Sequence, residues 1–123
     1  TPKQAFRRRT QLDTLLSTEL FKALAEPTRA QLLSCLLKCG RPCSVTEVAD
    51  CCSIDFSTVA RHLTIMARSG LLTSNKEGRT MWYSAEADDL ADYFREIADA
   101  INDVQPGSDC CSVKKPKNAA QSK

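Results

Sequence analysis

The stretch VTEVADCCSIDFSTVARHL, residues 45–63, holds two helix starts and, between them, a pair of adjacent cysteines. Ser44, just before it, and Glu47 have the spacing of a capping box, with Cys43 and Val48 placed on either side as a hydrophobic staple. Asp55 is the expected N-cap of the next helix, in which Val59, Leu63 and Met66 recur at helical spacing toward a core. Ser57, Thr58, Arg61 and His62 therefore face mainly away from that core. The segment reads as helix, turn, polar basic helix.

Working toward the N-terminus, EPTRAQLLSCLLKCG carries Leu32, Leu33, Leu36 and Leu37 on one helical stripe, with Pro27 in the first turn and Gly40 as the stop. STELFKALAE offers Ser17 or Thr18 as N-cap of a short helix with Leu20, Phe21 and Leu24 on one side, and a first helix is expected around residues 4–16. Toward the C-terminus, LLTSNKEGRTMWYS reads as two short strands about the turn Lys76-Glu77-Gly78-Arg79, a hairpin with cations at its tip. A last helix over residues 86–104 has the long apolar stripe Leu90, Phe94, Ile97, Ala98, Ile101 and Val104, ended by Pro106-Gly107. Such a stripe needs either the domain's own core or the same helix of a second subunit.

With 123 residues, 42% of them hydrophobic, the chain has material for one compact domain of mainly α structure. The expected division is an N-terminal arm and first helix at 1–16, a main domain at 17–105, and a cysteine-containing basic tail at 106–123. A core of that size often gains stability by burying a further face in a homodimer. No apolar run approaches the roughly 18 residues that span a bilayer, and the start TPKQAFRRRT has no apolar segment after its charges. A cytoplasmic protein without a membrane partner is the expectation.

The net charge of +2 hides a division. Residues 57–84 set Arg61, Arg68, Lys76 and Arg79 against Glu77 alone, whereas residues 86–104 set seven acids, Glu86, Asp88, Asp89, Asp92, Glu96, Asp99 and Asp103, against Arg95 alone. One surface suits a polyanion and the other repels it. A basic helix followed by a basic hairpin is the order of a winged helix-turn-helix, in which one helix enters the major groove and the wing follows the backbone.

Three segments carry a family resemblance: ELFKALAEPTRAQLLSCLL, STVARHLTIMARSGLL and KEGRTMWYS. Together they resemble the signature segments of the ArsR/SmtB family of bacterial transcriptional repressors, over about residues 17–84. The resemblance implies a symmetric dimer held by the first and last helices, bound to double-stranded operator DNA and released by an inducer. It places Ser57, Thr58, Arg61 and His62 on the recognition helix and Lys76 and Arg79 on the wing. Hydroxyls, guanidinium and imidazole reach base edges or phosphates, and the wing cations neutralise backbone charge.

The departures bear on the inducer. One branch of the family binds zinc across the last helices through Asp-x-His and His-x-x-Glu patterns, but this chain has a single histidine, on the recognition helix. The arsenic branch in its best-known form carries Cys-x-Cys at positions that here are Ser44 and Thr46. Cysteine is nevertheless abundant, seven in all, with adjacent pairs at Cys51-Cys52 and Cys110-Cys111. Soft trivalent arsenic seeks thiolates, so the expected metal residues are Cys51, Cys52, Cys110 and Cys111, with As(III), Sb(III), Cd(II) or Hg(II) as inducer and no organic cofactor. Cys51 and Cys52 point about 100° apart on a helix, so joint binding is expected to require unwinding of the helix end. Cys35 and Cys39, among leucines, are expected in the core. An alternative of the same fold is a repressor whose thiols sense oxidants or reactive sulfur. A thiol oxidoreductase is a weaker alternative, since no Cys-x-x-Cys precedes a helix in a βαβ pattern, and the chain is expected not to be an enzyme.

Overall fold

The computed structural model describes residues 12–104. Residues 12–15 are helical, and the rest of the first helix expected at 4–16 lies outside the described residues, as does the tail. The elements then run α1 (Thr18–Leu24), α2 (Pro27–Cys39), β1 (Cys43–Ser44), α3 (Val45–Cys52), α4 (Phe56–Ser69), β2 (Thr73–Glu77), β3 (Thr80–Ser84) and α5 (Ala87–Asp103). The chain is mainly α with a small antiparallel sheet in the order β1-β3-β2, which is a winged helix-turn-helix.

Local chemistry sets the boundaries. Ser17 caps α1 by accepting from the Leu20 N–H, and Pro27 opens α2, which Gly40 ends in the left-handed conformation at φ 68°. At α3 both halves of the capping box form: the Ser44 hydroxyl accepts from the Glu47 N–H at 3.2 Å, and the Glu47 carboxylate accepts from the Ser44 N–H at 3.1 Å. Replacing Ser44 with alanine is expected to cost about 1 kcal/mol of stability, read as a lowered urea midpoint; an unchanged midpoint would show that the box contributes nothing.

Cys43 and Val48, flanking that cap, are both buried in the core with Leu32, Leu36, Val59, Leu63 and Met66. Helix α3 thus contributes Val48, α4 contributes Val59, Leu63 and Met66, and α2 supplies the floor beneath both. Residues 43 and 44 add a short strand that the sequence reading did not anticipate. The extended backbone of the N-cap lies beside the hairpin and pairs Cys43 with Tyr83 and Ser44 with Trp82.

The hairpin turns one residue later than the expected turn Lys76–Arg79. Glu77 pairs with Thr80, leaving Gly78-Arg79 as a two-residue loop with Gly78 at φ 64°, the first-position glycine that type II′ loops use. Helix α5 turns Ile97 and Ala100 inward, and leaves Phe94 and Ile101 exposed, with Val104 exposed just past its end. Tyr93 ties it to the chain start, donating to the Leu15 carbonyl and accepting from the Ser17 N–H.

Candidate functional site

The reading helix α4 begins at Asp55, whose carboxylate gathers three donors: the Ser57 hydroxyl at 2.7 Å, the Thr58 N–H at 3.1 Å and the Thr58 hydroxyl at 3.3 Å. These bonds, that from Ser57 foremost, hold the Asp55 carboxyl below the usual carboxylate range. The cap is therefore intact above that range and is lost as pH falls through the lowered value. Both hydroxyls thus donate to the Asp55 carboxylate.

Arg61 lies one turn on and is exposed, with Lys76 and Arg79 exposed on the wing. Among the described residues none of these three cations forms a salt bridge. His62 differs, being half-buried, with Nδ1 3.2 Å from Nη1 of Arg29 on α2. Sequence reasoning passed over Arg29, because nothing local signals a contact made across 33 residues.

The thiols are arranged differently from expectation. Cys35 on α2 is half-buried and outside the core, and its Sγ lies 3.7 Å from Sγ of Cys51. With Cys52 they form a group whose three sulfur atoms all lie within 4.8 Å of one another. Cys35 is thus a member of the cluster and not the packed residue its leucine neighbours suggested. Here α3 is helical through Cys52, Ser53 caps it at φ 56°, and both sulfurs already lie beside that of Cys35. Two neighbours 100° apart on one helix thus both come within reach of Cys35 on α2.

Burial, followed by hydrogen bonds to Cys52 and Cys51, pushes the Cys35 thiol up to about 12. Cys39 is exposed, against the core placement expected, while buried Cys43 donates its thiol to the Arg41 carbonyl at 3.5 Å, and burial pushes that thiol up to about 11. Cys110 and Cys111 lie outside the described residues.

Three soft donors and no histidine or carboxylate in the group suit a thiophilic ion. With ion–sulfur bonds of about 2.3 Å, three sulfurs round one ion stand at most about 4 Å apart, so the cluster needs to contract only slightly. Zinc, which takes four ligands in closed sites, finds three in this group among the described residues.

A family profile for a helix-turn-helix domain matches residues 24–75, from the end of α1 into the wing. An uncharacterized HTH-type transcriptional regulator of Methanocaldococcus jannaschii is 33% identical, over 72% of this chain and 93% of its own length. The arsenical resistance operon repressor of Escherichia coli is 38% identical over 56% of this chain and 58% of its own length. Among solved structures, an ArsR-like transcriptional regulator from Rhodococcus superposes with a TM-score of 0.59 at 26% identity, covering 68% of this chain and 77% of that one. The chain belongs to the ArsR/SmtB family.

It is a transcriptional regulator of the ArsR/SmtB type, built on the family's winged helix. Its clustered thiols are those of Cys35, Cys51 and Cys52. They sit at the end of α3 and on α2, whereas Ser44 and Thr46 occupy the positions read as those of the arsenic branch's Cys-x-Cys pair. From Cys52 to the start of α4 the chain has only Ser53, Ile54 and Asp55, so a change at the cluster lies one short turn from the reading helix.

Proposed function

We propose that this chain is a homodimeric repressor that binds double-stranded operator DNA through α4 and the wing, and lets go when a thiophilic ion, As(III) foremost, is held by Cys35, Cys51 and Cys52. The observation that carries the inducer assignment is the convergence of three sulfurs from two helices beside the reading helix. Cys110 and Cys111 are then not required, since the three thiols of the described domain already supply the three ligands of a trigonal ion. The exposed Phe94 and Ile101 on α5, with Val104 just past its end, support a dimer, because that stripe is otherwise left in water. A cytoplasmic site of action goes with DNA as partner.

The coupling is mechanical. An ion drawn in by three thiolates pins the end of α3 to α2, and the two reading helices of a dimer hold their register only if each stays free to fit its half-site. Coupling energies of about 1–3 kcal/mol between inducer and DNA sites are typical.

Fluorescence anisotropy on DNA from upstream of the gene tests the DNA half: log K should fall by roughly 0.9 per phosphate contact per log unit of salt, and a flat response would remove the assignment. Native mass spectrometry after arsenite addition tests the other half. Retention of about one arsenic per protomer is expected in Cys110→Ser/Cys111→Ser, as three thiolates suffice for one ion; loss of arsenic there would return the site to the tail. The 3.7 Å between Cys35 and Cys51 sulfurs also favours a redox reading, in which peroxide converts the two thiols to a disulfide with formation of two waters. Release by peroxide with no response to arsenite would select it.

A further inference from the structure

Arg29 stands in the first turn of α2, remote in sequence from the reading helix, yet its guanidinium joins two parts of the reading head. Its Nε donates to the Ala23 carbonyl of α1 at 2.6 Å, and Nη1 lies 3.2 Å from Nδ1 of His62 on α4. A guanidinium has donors only. Nδ1 of His62 is therefore the acceptor in this bond, and the proton of the neutral ring sits on Nε2. Because Arg29 is also held to the α1 backbone, the group that fixes the ring is itself fixed. Both residues are half-buried, which limits the access of competing water to the bond.

We propose that Arg29 is a positioning residue for DNA reading: by bonding Nδ1 it locks the ring and tautomer of His62 so that Nε2–H is presented as a donor to an acceptor on DNA. The inference rests on α4 being the reading helix. A ring free to turn would divide its proton between two nitrogens and meet the same acceptor as donor only part of the time. A phosphate oxygen and the O6 or N7 of guanine both fit the donor, and they differ in consequence: a lost phosphate contact weakens binding to every sequence alike, a lost base contact chiefly weakens the selected site.

The test is a double-mutant cycle on an operator selected by the wild-type protein from random duplexes, read by anisotropy, with Arg29→Met, His62→Ala and the double variant, each checked for native helix content by circular dichroism. Each single change should lower affinity several-fold, and the double variant should bind no worse than His62→Ala alone. Additive losses would overturn the proposal, since Arg29 would then act independently of His62; so would full affinity in His62→Ala. Should Arg29→Met fail to fold, the wild-type protein still decides the matter. His62 is the sole histidine, so imidazole ¹⁵N resonances above neutral pH report one ring. A single tautomer with bare Nδ1 is expected, and a mixture would overturn the proposal. If no operator is selected at all, the reading of α4 fails while the ¹⁵N result still reports on the Arg29–His62 bond.

Discussion

Replacing Leu63 with alanine is expected to destabilise the domain by about 2–5 kcal/mol, the range for deleting a fully buried leucine side chain. Leu63 is completely buried, on the inner face of the reading helix among Leu32, Leu36, Val59 and Met66. Whole domains are stable by only about 5–15 kcal/mol, so the loss should appear as a fall in melting temperature of roughly 10–25 °C for a domain of this size. DNA binding should fail on warming as a consequence of unfolding, and recover on cooling if refolding is reversible. Unfolding followed by circular dichroism checks it; a shift of a degree or two would mean that α4 is not seated on this core.

Arg61, two residues before Leu63, should behave in the opposite way. It is exposed and makes no ion pair among the described residues, so Arg61→Ala should leave the melting temperature within a degree or two. Operator affinity should nevertheless fall by about 1–3 kcal/mol, or roughly 5- to 150-fold, the worth of one well-placed arginine contact to guanine. Anisotropy at fixed salt measures it, and near-normal affinity would remove Arg61 from the interface. Together the two substitutions separate the face of α4 that holds the fold from the face that meets DNA.

That separation was legible in the sequence because it depends on helical periodicity and caps, which are local. Ser17, Ser44 with Glu47, and Asp55 each cap the helix assigned to them, and Gly40 closes α2 as its position implied. The wing was legible too, from strand-like runs about a glycine, although its loop proved to be the two residues Gly78-Arg79. Contacts between elements were not. The pairing of residues 43 and 44 with β3 needs a hairpin some forty residues away to be in place. Cys35 reads as a leucine-like helix residue until α3 is laid against α2, and only then does the Cys51-Cys52 pair acquire its third sulfur. Arg29 and His62 meet for the same reason, through the packing of α2 against α4.

The thiol cluster also changes what an inducer would have to do. A site made by unwinding α3 would oppose ion binding with the cost of the broken helix turn, whereas sulfurs already within 4.8 Å need little rearrangement. Affinity would then be limited chiefly by removing the proton from Cys35, which burial disfavours.

The most direct test is operator release under anaerobic, reducing conditions, followed by anisotropy as arsenite is added to the wild-type protein and to Cys35→Ser. Release of the wild type at about one equivalent per protomer is predicted, since three thiolates complete one trigonal site. Cys35→Ser should bind the operator as tightly as the wild type and stay bound. Arsenite release of Cys35→Ser at the wild-type concentration would contradict the account and place the inducer site elsewhere in the chain.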